Sequence, residues 1–219
     1  MPTVLDLYKD WNIKEKYKYY KINRIGILDI ETTNLVASFG FTLSWVLYVR
    51  DVQKNCIIAK VHGLINSKDV NRCRRERTTD YDRRILENFI KAIKKYDIDM
   101  LIGHYFHGRK KHDIPFLLTR MLTLRMEGFP KHKQIKYGDT WNMCKNRLRL
   151  HSYRLDAIGE ALNIKTKKTP ISFHLWNLAR MGDPKALKYV LKHNDNDVEI
   201  DYRIHKAIEE YVPIPSGYV

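Results

Sequence analysis

The feature that most constrains this chain is a pair of carboxylates set two residues apart in an otherwise apolar stretch, Gly26-Ile27-Leu28-Asp29-Ile30-Glu31-Thr32-Thr33. Side chains on a strand alternate between faces, so Asp29 and Glu31 project from the same side, roughly 7 Å apart. Two like charges at the end of a strand that reads as core repel each other. Burying even part of the pair is unfavourable unless a cation lies between them. A divalent metal meets that need. The competing reading is a strand end that has run into solvent, where both acids are hydrated, and the remaining acids of the chain bear on which holds.

A length of 219 residues suffices for one well-cored domain. The chain carries 40 Lys and Arg against 25 Asp and Glu, a formal net charge of +15, which makes polyanions the leading partner class. No apolar run approaches the ~20 residues that span a bilayer, so no membrane partner is expected. Met1-Pro2-Thr3-Val4 opens neither a signal nor a transit peptide. A cytoplasmic location is expected, that of a host cell if the source is a virus. Cys56, Cys73 and Cys144 are far apart and form no C-x-x-C pair, which indicates neither a disulfide framework nor a zinc site. His104, His107 and His112 lie close in sequence but lack the Cys partners or paired spacing of a structural metal site.

The first residues, ending in Lys16-Tyr17-Lys18-Tyr19-Tyr20-Lys21, alternate basic and aromatic. That pattern suits an edge strand or extended arm over 1–23, with base stacking as a second use. Stretches Arg24 to Thr32, Ser38 to Arg50 and Cys56 to Gly63 are rich in strand formers and closely spaced, which predicts an antiparallel meander. Asn71-Arg72-Cys73-Arg74-Arg75-Glu76-Arg77 reads as a basic surface loop. Thr79 or Asp80 is expected to cap an amphipathic helix whose Ile85, Leu86, Phe89, Ile90 and Ile93 recur at helical spacing. A short strand over Asp99 to Tyr105, a helix over Pro115 to Met126 and a strand over Gln134 to Thr140 follow. Ser152 reads as the cap of a helix through Leu155, Ile158, Ala161 and Leu162. Asp183-Pro184 reads as a cap and first-turn proline of a last long helix, ended near Tyr211 by Pro213 and Pro215. Three antiparallel strands followed by alternating helix and strand predict an α/β domain with a mixed sheet flanked by helices, over residues 24–212, before a tail at 213–219.

Two further sites carry acids. Asp113, in Lys111-His112-Asp113-Ile114-Pro115-Phe116-Leu117, stands before an apolar helical start and reads equally as an ordinary N-cap. His193 and Asp197, in Lys192-His193-Asn194-Asp195-Asn196-Asp197-Val198, are four apart and share one helix face, about 6 Å apart at Cβ. A surface pair of that spacing stabilises by only ~0.3 kcal/mol. Helix-poor Asn194, Asp195 and Asn196 in a single turn argue that more than surface pairing selected this segment.

Taken in order, Asp-x-Glu, an Asp before Pro-Phe-Leu, and His-x-x-x-Asp near the end resemble the signature of DEDD-type 3′–5′ exonucleases of the ribonuclease H-like superfamily. The chain is similar to stand-alone exonucleases related to the proofreading domain of family-B DNA polymerases. The likeness spans about residues 24 to 210 and continues through Gly103-His104-Tyr105, Asp139-Thr140-Trp141, Ser152-Tyr153-Arg154-Leu155-Asp156-Ala157-Ile158 and Gly182-Asp183. Two departures stand out. His193 occupies the spacing of the tyrosine subgroup, making the last motif a hybrid. Before Asp113, Tyr105 stands near the family's Asn, His112 replaces an aromatic, and Gly108-Arg109-Lys110-Lys111 lengthens the loop.

The resemblance implies a ribonuclease H-like fold and two divalent cations, Mg²⁺ or Mn²⁺, about 3.5–4 Å apart, held by Asp29, Glu31, Asp113 and Asp197. It implies His193 as the base that takes a proton from the attacking water. The implied substrate is the 3′ end of single-stranded or frayed DNA, with Thr32, Thr33 and Leu35 at the terminal nucleotide. Arg109, Lys110 and Lys111 would face strand phosphates or, alternatively, form a solvated loop. A polymerase or other replication or repair partner would act in trans. An exoribonuclease, a catalytically inactive nucleic-acid-binding module and a structure-specific endonuclease are the alternatives the fold also accommodates.

Overall fold

The computed structural model describes residues 12–108, 110–131, 133–165 and 169–214. Its strands are β1 (Arg24–Thr32), β2 (Thr42–Asp51), β3 (Cys56–Leu64), β4 (Met100–Gly103) and β5 (Lys136–Asp139). Its helices are α1 (Ile13–Tyr19), α2 (Ser67–Glu76), α3 (Arg83–Lys95), α4 (Asp113–Thr123), α5 (Thr140–Arg147), α6 (Leu155–Ala161), α7 (Phe173–Arg180) and α8 (Pro184–Ile208). The five strands form one sheet in the order β3-β2-β1-β4-β5. The β1–β2 and β2–β3 pairs are antiparallel, as the short spacings predict, while β1–β4 and β4–β5 are parallel. This is the mixed α/β sheet flanked by helices expected from the sequence.

Strand β1 lies at the centre and is covered on both faces. Its Leu28 and Ile30 join the larger apolar cluster with Trp45, Leu47, Leu86, Phe89 and Leu117 from β2, α3 and α4. Ile25 and Ile27 join a second cluster on the opposite face, with Tyr17 of α1 and Val198 of α8. Parity then puts Asp29 and Glu31 on the α8 side. Burial on both faces is why β1 reads as a continuous apolar run interrupted only by those two acids. Among the described residues, no helix is long and apolar enough to cross a membrane.

Several local expectations are corrected. Residues 13–19 are helical rather than an edge strand or extended arm. Asn12 accepts from Lys14 and Glu15 N–H, Glu15 returns a bond to the Asn12 N–H, and Ile13, Tyr17 and Tyr20 at helical spacing pack on the second cluster. The alternating Lys and Tyr residues mimic a strand period that these three anchors override. The basic stretch from 71 is not a loop but most of α2, nucleated by an Asn66–Asp69 capping box and anchored by buried Val70 and Cys73. Helix α3 begins after Asp82, not Thr79 or Asp80. Arg154 rather than Ser152 precedes α6, and the Ser152 hydroxyl accepts from the Arg154 N–H instead. The Asp183-Pro184 start of α8 forms as expected, with Asp183 accepting from the Ala186 N–H.

Asp82 withholds its carboxylate from capping because it is committed elsewhere. Its oxygens accept from the Thr42 N–H at 2.9 Å and from Arg120 Nε and Nη2 at 3.0 and 2.6 Å, all buried. Arg120 also donates to the Thr79 carbonyl. This network fixes α4 against the start of α3 and of β2, and thereby sets where Asp113, the first residue of α4, lies. Asp82→Ala leaves the Arg120 guanidinium buried without its counter-charge. A loss of about 3–5 kcal/mol is expected in urea unfolding, and a loss under 1 kcal/mol would show that the network does not hold α4.

Candidate metal centre

The C-terminal ends of β1 and β4 lie side by side, because Ile25, Gly26 and Ile27 pair in parallel with Met100, Leu101 and Ile102. Asp29 and Glu31 therefore reach the same edge of the sheet as the segment leading from β4 to α4. Helix α8 packs across β1 and β2 on the face those two acids occupy. Asp113 from α4 and Asp197 from α8 complete the approach from either side.

The electrostatics record how close the approach is. Asp29 and Glu31 stay partly open to solvent, while Asp113 is only 4% exposed. Burial, followed by the charges of Asp113, Glu31, Asp197 and Asp201, pushes the Asp29 carboxyl well above the usual range. Burial and then Asp197 raise Glu31 to about 8. Burial, then Glu31, Asp201 and Asp139, raises Asp113 strongly. Burial first, and the neighbouring acids after it, thus oppose ionisation of Asp29, Glu31 and Asp113, the pattern of carboxylates gathered without a counter-charge. The Asp113 Oδ2 atom is buried with no hydrogen-bond partner. The N-cap reading of Asp113 does not hold: it is the first helical residue, His112 occupies the cap position, and no side chain caps that end.

His193 completes the group. Its Nε2 lies 3.4 Å from Glu31 Oε1 and 3.5 Å from Asp197 Oδ2, and its Nδ1 lies 2.6 Å from the Thr169 carbonyl oxygen. A carbonyl only accepts, so Nδ1 carries a hydrogen, and Nε2 is the ring nitrogen that faces the carboxylates. A backbone carbonyl behind the ring is also how metal-binding imidazoles are commonly oriented. Glu31, His193 and Asp197 each offer a donor atom within 4.8 Å of the others, a trio that could hold a metal ion. The donor set, the mutually raised carboxyls and the unpaired Asp113 oxygen all fit a bound cation. His104, His107 and His112 form no such group; His104 bonds Thr140 and the Tyr153 carbonyl, and His112 lies 3.2 Å from Thr32 Oγ1.

The helix-poor turn of α8 has a structural reason. Asn194 donates to Ser44 Oγ on β2, Asp195 accepts from the Tyr48 hydroxyl at 2.8 Å, and Asn196 donates to Thr169 Oγ1. Three successive side chains thereby pin α8 to the sheet and to the segment behind His193.

Sequence reasoning missed Asp201. It is buried, its Oδ1 accepts from Thr140 Oγ1, and its Oδ2 has no partner. Burial, with Asp139 and Asp197 adding and the Thr140 hydrogen bond opposing, raises its carboxyl to about 7. The readable signal is spacing, since 193, 197 and 201 follow one another at a helical turn. Asp139, which the sequence likeness includes without assigning it a role, accepts from the Phe106 N–H at 2.9 Å and caps α5 through the Asn142 N–H.

The residues expected to contact nucleic acid divide. Thr32 and Thr33 are buried and bonded internally, through Thr32 Oγ1 to the Asn34 carbonyl and the Phe41 N–H to Thr33 Oγ1. Leu35 is 83% exposed beside them, and Lys110 is exposed. Arg109 lies outside the described residues. Lys111 does not stand open to a phosphate: its Nζ lies over the Tyr105 and Trp141 rings and 3.6 Å from Asp139, and burial lowers its pKa.

Raised carboxyls fix a pH dependence. Folded Glu31 binds its proton more tightly than the unfolded chain does, so the metal-free protein loses stability as pH rises from about 4.5 to about 8. Thermal unfolding in chelator should show the midpoint falling across that window, and millimolar Mg²⁺ or Mn²⁺ should reverse most of the fall at pH 8. A midpoint indifferent to metal at pH 8 would remove the case for a cation here.

No protein-family model matches the sequence, and no curated protein matches it. Among solved structures, the family B DNA polymerase from the hyperthermophilic archaeon Pyrobaculum calidifontis is similar, with a TM-score of 0.65 and 16% identity. The match covers 86% of this chain and 25% of that one, so the chain spans about a quarter of the polymerase's length. At that identity the likeness establishes a shared α/β fold.

Proposed function

We propose that this protein is a metal-dependent 3′–5′ exonuclease that removes nucleotides from single-stranded or frayed DNA. One observation carries the reading: β1, α4 and α8, remote in sequence, bring four carboxylates into mutual repulsion with an imidazole nitrogen among them. The net charge of +15 supports a polyanionic substrate that an acidic pocket alone would repel. Fold likeness to a DNA polymerase supports nucleic acid as that polyanion, and a polymerase or other replication or repair enzyme acting in trans, in the cytoplasm, is the setting proposed.

Asp29, Glu31, Asp113 and Asp197 would hold two divalent cations, and carboxylate oxygens suit Mg²⁺ or Mn²⁺. When bound, such ions supply positive charge at a phosphodiester and its leaving oxygen. His193 Nε2 accepts the proton of the water that attacks the terminal phosphorus. The Nδ1 hydrogen bond to the Thr169 carbonyl holds the ring in the required tautomer and favours the imidazolium that results. A bond forms between phosphorus and the water oxygen as the bond to the 3′ oxygen of the preceding nucleotide breaks. A nucleoside 5′-monophosphate leaves, and the freed 3′ oxygen takes up a proton from solvent, so that the shortened strand ends in a 3′ hydroxyl. Leu35, next to the backbone that follows Glu31, would contact the terminal base, a role its exposure supports.

Incubation of 5′-labelled single-stranded DNA with Mg²⁺ or Mn²⁺ should give a ladder that shortens from the 3′ end. Chelator and Asp29→Ala should each abolish it, and a circular strand should survive. A cut circle would reassign the protein as an endonuclease, and faster shortening of a matched RNA oligomer would make it an exoribonuclease. His193→Ala should lower kcat by about 100-fold or more with oligonucleotide affinity retained; unaltered turnover would remove His193 from the mechanism.

A further inference from the structure

On the side of the sheet that carries the larger apolar cluster, a groove of about 480 Å³ lies between α2 and α7, lined by Phe41, Arg74, Tyr81, Asn177, Arg180 and Met181. Its walls are fixed from several directions. The Ser67 hydroxyl donates to the Gly182 carbonyl at 2.6 Å, joining the start of α2 to the end of α7. Val70 of α2 and Ala179 of α7 are buried in the cluster. Phe41 and Tyr81 stack on each other, centroids 4.4 Å and planes 15° apart, and pack against the same cluster. The groove is therefore preformed, apolar along its wall, with Met181 59% exposed at its edge.

What the rim lacks is acid. The carboxylates of α2 and of the turn after it are all engaged: Asp69 with Arg84 at 2.6 Å, Glu76 with Arg72 and Arg75, and Asp80 with Arg72, Arg83 and the Thr78 hydroxyl. Arg74 and Arg180 are exposed and, among the described residues, make no ion pair. Two like charges from separate helices thus line one groove with no counter-charge from the chain itself. A ligand that is acidic on its flanks and apolar between them matches this arrangement. A nucleic-acid strand would meet the charge but not the wall, because rings stacked on each other and packed on the core are no platform for bases.

We infer that this groove docks an acidic segment of a partner protein, whose Asp or Glu side chains pair with Arg74 and Arg180 while a Leu, Ile or Phe side chain rests against Phe41, Tyr81 and Met181. Asn177 offers an amide donor and acceptor to the backbone of that segment. The inference rests on the nuclease reading for its purpose and extends it to how a replication or repair partner acting in trans is held. The Thr33 N–H donates to the Phe41 carbonyl and the Phe41 N–H to Thr33 Oγ1. A partner docked here is therefore anchored to the segment that leaves the acidic centre, without entering the centre.

Anisotropy measured in chelator separates docking from cleavage. The probe is fluorescein-labelled Gly-Asp-Glu-Asp-Leu-Phe-Glu-Asp-Gly, and a control of equal charge carries Ser-Ser in place of Leu-Phe. The probe is expected to bind at least about fivefold more tightly than the control, and Arg74→Glu and Arg180→Glu are each expected to weaken it about fivefold or more. Equal binding of the two peptides by the unaltered protein overturns the docking site with no variant needed, as does unchanged affinity of both variants. A loss of oligo-dT binding in the variants as large as the loss of peptide binding would place the groove on the path of nucleic acid and overturn it too. Failure of the nuclease reading shows separately, as a missing cleavage ladder in Mg²⁺ or Mn²⁺ while the preference for the apolar peptide persists.

Discussion

Carboxylates that share a space short of water repel one another, and the architecture around β1 is arranged to hold them there regardless. Repulsion of this kind would push flexible elements apart. Here Asp29 and Glu31 are fixed by the central strand of the sheet, Asp113 by a helix locked through Arg120 and Asp82, and Asp197 by a helix pinned at three adjacent residues. Rigidity outside the pocket is what allows unfavourable electrostatics inside it, and a site preorganised in this way would lose little freedom on binding a cation.

The same logic explains residues that look wasteful. A turn of Asn, Asp and Asn is a poor choice for a helix interior on propensity alone. In α8 those side chains reach Ser44, Tyr48 and Thr169, and the last of these also supplies the carbonyl that orients His193. Local propensity yields to tertiary contact at the point where ionisable side chains are concentrated. Gly103 shows a related economy at the end of β4: a Cβ there would fall 2.1 Å from the Phe106 ring and 2.7 Å from the Leu28 carbonyl. That close fit lets the chain turn from β4 toward α4 without lifting off the neighbouring strand.

Much of this was legible in the sequence because it follows from periodicity. Alternation put Asp29 and Glu31 on one face, short spacings gave the meander, and Asp183-Pro184 marked the start of α8. Failures came where a short segment has two periods at once. Lys and Tyr alternate over 16–21, yet Ile13, Tyr17 and Tyr20 set a helix; α2 hides only Val70 and Cys73 beneath its arginines. Side-chain direction was less legible still. Nothing in Lys110-Lys111 distinguishes the exposed lysine from the one turned under two rings, because the distinction depends on Trp141, thirty residues away. Asp201 escaped notice because its partners, Thr140 and the acids of β1 and α4, are distant in sequence.

Along α8, positions 193, 197, 201, 205 and 209 form a ridge of ionisable side chains that winds partway round the helix, from His193 through Asp197, Asp201 and His205 to Glu209 at its C-terminal cap. The far members serve a different purpose, tying α1 and β2 to the helix through Tyr17 and Arg50. Adding or deleting one residue inside α8 would swing every later side chain about 100° around the axis. The acidic end and the anchoring end would fall out of phase, one reaching its neighbours only if the other let go. Changes of length in this part of the chain therefore have to be accommodated in the connections that flank the helix.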